Sequence, residues 1–207
     1  MVTGIDVSHH QGRVDWSRVA ADGHRFAFCK ATQGVTFVDP EFEHNWKGIR
    51  YAGLVRGAYH YATARLSIVS QAQHFLCTVG ELGDGDLGLV LDIEDGKARQ
   101  FTRIGHHATS VFALAFLAHL HRETDRTPIV YSGTSFARRL LRFDLLREYP
   151  LWQAQYTRKM APDLLPVWPW TFWQHSATGR VGGITKPVDL NRFVGDESAL
   201  RKMGACQ

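Results

Sequence analysis

The chain has 207 residues, 44% of them hydrophobic and 12% aromatic, and 24 Lys and Arg against 20 Asp and Glu give a formal charge of +4. That is enough apolar content for one sizeable core, so a single domain over 1–207 is expected. The basic residues are scattered, and their densest cluster, Arg138-Arg139 with Arg142, has the pattern of a solvated helix face, which argues against a nucleic-acid groove. No apolar run approaches the roughly 20 residues of a membrane span. Met1-Val2-Thr3 leads into a strand with no signal peptide before it, as in a mature form with an added Met or a protein released by lysis. Cys29, Cys77 and Cys206 are odd in number, widely spaced and without a CxxC, so they signal neither a disulfide framework nor a zinc site and leave room for one disulfide.

In chain order, Thr3 to Ser8 reads as a strand ending in polar residues, with Asp6 near its end and His9-His10-Gln11-Gly12 turning away. Asp15 is positioned to cap a helix through Ala20 that Gly23 stops. Arg25 to Thr32 is the second strand; Phe28, Lys30 and Thr32 share a face by period-2 alternation, aiming Lys30 inward with a need for an acidic partner, while Cys29 faces a helix layer. Asp39-Pro40 opens a helix bearing Phe42, Trp46 and Ile49. Leu54 to Ala62 is the third strand, and Ser67 to Val79 a helix.

Leu87-Gly88-Leu89-Val90-Leu91-Asp92-Ile93-Glu94 is the fourth strand, nearly continuously apolar as in a parallel sheet covered on both faces. It ends in two carboxylates on one face. Crowding them at the carboxyl end of a parallel strand, where α/β barrels place chemistry, raises one pKa and makes a proton donor; an acidic turn is the bland alternative. A long helix follows from His106 to Arg122, with stripes at Val111, Leu114, Ala115, Ala118 and at Phe112, Phe116, Leu120. Pro128 to Gly133 is the fifth strand and Ser135 to Leu146 looks helical. Three strands then come without clear helices between them: 149–156, 170–176 and 187–193, the last carrying Asp189. The pattern predicts an α/β fold, a modified TIM-like barrel of about five βα units followed by three strands.

These segments resemble glycoside hydrolase family 25, the Chalaropsis-type lysozymes, which are N-acetylmuramidases. The resemblance rests on Asp6-Val7-Ser8-His9-His10-Gln11-Gly12, Phe28 to Gly34, Gly57-Ala58-Tyr59-His60-Tyr61, Leu91-Asp92-Ile93-Glu94, Trp173-Gln174-His175-Ser176 with Gly179, and Val188-Asp189-Leu190-Asn191. It implies hydrolysis of the β-1,4 bond between N-acetylmuramic acid and N-acetylglucosamine in bacterial peptidoglycan. It further implies Glu94 as general acid/base, Asp92 beside it, and Asp6 and Asp189 completing an acid cluster. The expected setting is extracellular or wall-directed, as a monomer without cofactor or metal.

The second group that supports the cationic transition state is either an aspartate or the substrate's own N-acetyl oxygen. Lys30, Tyr61, Tyr131, Gln155 and Trp173, at or near strand ends, are candidates to hold sugars. One departure stands out, because Gln33 occupies a position where the family usually has Glu, and an amide cannot transfer the catalytic proton. Two alternatives stay open: a chitinase-like N-acetylglucosaminyl hydrolase and a catalytically silent wall-binding module.

Overall fold

The computed structural model describes residues 1–157 and 159–205. Its elements, in chain order, are β1 (Val2–Val7), α1 (Trp16–Ala21), β2 (Phe26–Gln33), β3 (Phe37–Val38), α2 (Phe42–Tyr51), β4 (Val55–Tyr61), α3 (Ile68–Val79) and β5 (Val90–Asp92). Then come α4 (Gln100–Thr124), β6 (Ile129–Gly133), α5 (Thr134–Leu140), α6 (Phe143–Leu146), β7 (Leu151–Ala154), β8 (Trp170–Gly179), β9 (Val188–Phe193) and α7 (Glu197–Met203). Eight strands close a barrel in the order β1-β2-β4-β5-β6-β7-β8-β9, with β3 appended to β2. Seven of the eight are mutually parallel; β9 runs antiparallel to both neighbours, β8 and β1. Five βα units are followed by three strands without intervening helices, the modified barrel expected from the pattern.

Strand alternation sorts the core into two layers. Phe26, Phe28, Val55, Val90, Ile129, Trp152, Phe172 and Phe193 fill the barrel, while Ile5, Ala27, Cys29, Ala58, Leu91, Val130 and Leu151 face the helices. The interior is aromatic: Phe28 stacks on Trp152 with centroids 4.2 Å apart. Gly57 makes that possible, since a Cβ there would stand 2.4 Å from the Phe28 ring. The caps behave as read, with Asp15 accepting from the Arg18 amide and Ser67 from the Ser70 amide.

Several details depart from the sequence reading. A bulge between Lys30 and Thr32 breaks the alternation, so Thr32 turns outward and its hydroxyl meets His60 Nδ1 at 2.7 Å, on the opposite face from Lys30. The long helix starts at Gln100 and kinks at Gly105, whose φ of 82° interrupts it. Of its two apolar stripes, the one with Phe112, Phe116 and Leu120 is buried; Val111, Ala115 and Ala118 are exposed. The stretch 135–146 forms two short helices, and α7, absent from the reading, inserts Leu200 into the end of the barrel interior. Cys29 and Cys77 are free thiols, and Cys206 lies outside the described residues. Among the described residues no helix is long and apolar enough to cross a membrane.

Arg56, on the outward face of β4, is buried beneath α2. Its Nε and Nη2 reach the two Asp86 oxygens at 2.6 and 2.8 Å, Nη1 donates to the Trp46 carbonyl at 2.7 Å, and the guanidinium lies 3.7 Å from a Trp46 ring centroid. Both partners are nearly solvent-free, so removing one charge strands the other. Asp86→Asn is expected to cost about 3–5 kcal/mol in urea unfolding; a loss below about 1 kcal/mol would show that the pair is not desolvated as described.

Candidate active site

A cleft of about 290 Å³ opens at the carboxyl ends of the parallel strands. Inward residues line it: Asp6 of β1, Lys30 of β2, Tyr59 and Tyr61 of β4, Asp92 of β5, Tyr131 of β6, Trp152 of β7 and Gln174, midway along β8. Asp189 stands near the start of β9, and only because that strand runs backwards does it reach the same rim, in register with Asp6. Glu94 follows β5 and is held from both sides. The Ile93 amide donates to the Tyr131 carbonyl at 3.1 Å, and the Asp95 carboxylate accepts from the Phe101 amide at 2.8 Å and from Thr102 at the start of α4.

Asp6 is tied into a buried network. Its Oδ2 accepts from Gln174 Nε2 at 2.9 Å and Asn191 Nδ2 at 2.7 Å. Asn191 in turn accepts from the Trp152 indole at 2.8 Å, and Gln174 Oε1 accepts from the Tyr131 and Tyr156 hydroxyls at 3.0 and 2.9 Å. Asp92 differs: its Oδ1 is buried with no hydrogen-bond partner among the described residues. Glu94 makes no hydrogen bond among the described residues and stays partly accessible. An unpaired buried carboxyl oxygen is costly unless a ligand group completes it.

All four acids are pushed upward. Asp6 rises to about 8, first through burial and then the Asp189 charge, against the pull of the Asn191 and Gln174 amides. Asp189 rises to about 6 through burial. Asp92 is raised by burial and by Glu94, and Glu94 by burial with help from Asp189 and Asp95; Lys30 opposes both shifts. The Lys30 ammonium is itself lowered by burial and supported by Asp92, Asp39 and Glu94. It makes no ion pair among the described residues; Nζ donates to Gln33 Oε1 at 2.8 Å and lies 5.0 Å from the Tyr61 ring centroid. Such a cluster, with some carboxyls protonated and others ionised in one cleft, supplies proton donor and anion together.

Lys30, Tyr61 and Tyr131 therefore meet the four acids. Gln155 does not: it lines an adjoining hollow, donating to Asp163 at 2.9 Å and accepting from Thr134. Trp173 is turned away from the cleft, because on β8 the inward parity belongs to Phe172 and Gln174; it is buried and its indole donates to the Gln155 carbonyl at 2.9 Å. Gln174, Tyr59, Trp152, Ser8, His10 and Tyr156 line the cleft without having been singled out. Alternation with Asp6 and Asp92 as anchors marks the first three; Tyr156 comes from an irregular segment and carries no periodic signal.

Residues 5–184 match the sequence profile of the Glycosyl hydrolases family 25. The Escherichia coli protein YegX, itself uncharacterised, is 40% identical over 97% of this chain and 72% of its own. Lysozyme M1 of Streptomyces globisporus is 36% identical over 96% of this chain and 70% of its own. The crystal structure of a bacterial lysozyme from Streptomyces coelicolor superposes with a TM-score of 0.90 at 33% identity, covering 98% of this chain and 96% of that one.

The raised Asp6 pKa fixes the sign of a stability effect. Between its ordinary 3.8 and about 8 the folded chain holds a proton that the unfolded chain has released, so stability falls as pH rises through that window. His60, buried neutral and lowered to about 3, tilts the other way below about 6.5. Asp92, raised by burial in the same sense, adds to the slope, so urea unfolding between pH 6.5 and 8 should show a decline to which Asp6 contributes at most about 1.4 kcal/mol per pH unit and which Asp6→Asn reduces. An equal slope in wild type and variant would mean that Asp6 does not hold this proton.

Proposed function

The chain belongs to glycosyl hydrolase family 25 and is a glycoside hydrolase, and from that premise we propose that it is a muramidase. It cuts the β-1,4 bond between N-acetylmuramic acid and N-acetylglucosamine in peptidoglycan, with Glu94 as the proton donor. The carrying observation is the pairing of Glu94, accessible, free of hydrogen bonds and raised in pKa, with Asp92, whose buried Oδ1 lacks a partner. The proton of Glu94 passes to the glycosidic oxygen as the C1–O bond breaks. Asp92 Oδ1 accepts the acetamido N–H of the muramic acid ring, turning the acetamide oxygen towards C1, where it forms the bond that the leaving group vacates. Water, deprotonated by the Glu94 carboxylate, then opens that intermediate.

Asp6 and Asp189 face the cationic ring from the opposite wall, Asp6 fixed by Gln174 and Asn191. Tyr61, Tyr131 and Lys30 offer hydroxyls and a cation to the sugars. Gln33 is exposed and spends its carbonyl on Lys30. That placement supports a hydrogen-bonding role and tells against reading the chain as a silent module.

Glu94→Gln is expected to stay folded and to lose about 10²–10⁴-fold in the release of reducing ends from purified wall, and the wild-type products should end in muramic acid. More than a tenth of the activity surviving in the variant, or glucosamine at the new ends, overturns the assignment. Chitin should release no soluble product.

The rate against pH should be bell-shaped, its limbs belonging to the acid cluster jointly. Because Lys30 favours the ionised forms of Asp92 and Glu94, Lys30→Met should move the acidic limb to higher pH. An unmoved limb at constant ionic strength would remove Lys30 from the cluster.

A further inference from the structure

A second hollow of about 580 Å³ adjoins the cleft and shares Glu94, Tyr131 and Tyr156 with it. Its lining is mixed in charge. The cleft is walled by four acids, whereas here α5 sets Arg138 and Arg139, both exposed, against Glu94, Asp95 and Asp163. Neither guanidinium is in an ion pair among the described residues; Arg138 donates to the Leu164 carbonyl at 3.3 Å. The carboxylates nearby are already engaged, Asp163 with Lys159 at 2.5 Å and with Gln155, and Asp95 at the start of α4. Two adjacent guanidiniums in no ion pair among the described residues, Arg138 sharing only the field of Asp163, stand beside an acid-lined groove poised for an anion, and their planar forks match carboxylates.

We propose that Arg138 and Arg139 bind the carboxylates of the peptide stem carried by the muramic acid ring, an inference that rests on the muramidase reading. The stem leaves the lactyl group of the ring whose bond is cut, so it starts beside the acid cluster, and its carboxylates are repelled by the acids ionised there. The neighbouring hollow provides room and, on α5, two guanidiniums. Stem recognition there adds affinity for peptide-bearing wall without touching the reacting atoms.

The test compares wild type, Arg138→Gln/Arg139→Gln and Arg138→Lys/Arg139→Lys on three substrates: stem-bearing peptidoglycan, the same glycan stripped by an amidase, and wall whose stem carboxyls have been amidated. The glutamine variant should lose about tenfold in kcat/KM on the first, through KM, and less than twofold on the other two; the lysines should restore part of the loss. Equal loss on stripped glycan, or no loss anywhere, overturns the proposal. So does a loss that disappears on stem-bearing wall freed of teichoic acid, which would assign the pair to phosphate. Cosedimentation with wall, using Glu94→Gln with and without the glutamine pair, reads stem binding without turnover. If wild type releases no muramic acid ends from stripped glycan, the muramidase reading fails while cosedimentation still judges the arginines.

Discussion

One reversal of chain direction holds the site together. Seven parallel strands deliver inward side chains to a single rim, but the eighth gap between β8 and β1 is closed by β9 running the other way. The reversal brings an early residue of β9, Asp189, level with Asp6, and the next inward residue, Asn191, donates to the Asp6 carboxylate at 2.7 Å. A parallel strand would have put its late residues at the mouth and sent Asp189 towards the floor. The same reversal carries the chain to the far end of the barrel, where α7 enters with Leu200.

The price of the cluster is electrostatic, and the fold meets it in two ways. Asp6 receives fixed amide donors, backed by Trp152, Tyr131 and Tyr156, so its orientation is set before any substrate arrives. Asp92 and Glu94 receive a cation at a distance: Lys30 is held by Gln33 and Tyr61, close enough to act through its field but not bonded to either acid. A direct ion pair would have locked one carboxyl in its charged form. Field without contact leaves protonation responsive to what enters the cleft.

Much of this was legible because a barrel strand has one repeating rule. Parity from Phe28 put Lys30 inside and Cys29 outside, and the paired acids after an apolar run marked the chemical end of β5. The rule failed where local geometry broke it. The bulge beyond Lys30 reversed Thr32, and choosing Trp173 for its place near a strand end passed over Gln174, which holds the inward register. Neither α7 nor the stretch just after β7 has a period strong enough to read: the strand expected over 149–156 ends at Ala154, and the places of Tyr156 and Leu200 emerged only from the fold. Asp189 entered the acid cluster through the family resemblance alone, because no local pattern in Val188 to Phe193 states which way β9 runs.

The two ends of the barrel divide labour between chemistry and stability. At the mouth, buried acids, an orphaned Asp92 oxygen and a desolvated lysine all work against folding. The compensating contacts lie elsewhere. Arg56 and Asp86 pair beneath α2, and Arg126 reaches the carbonyls of Gly204, Ala205 and Gly83 near the end of α7. Phe28, Trp152 and Phe172 form a packed aromatic layer between the two ends. That layer shares Trp152 with the Asn191–Asp6 chain, so the same side chain that fills the barrel also orients the first acid. A larger inward residue at position 57 would displace Phe28 and, through its stack on Trp152, disturb Asn191 and Asp6. Packing in the middle of the barrel is therefore part of how the rim is aimed.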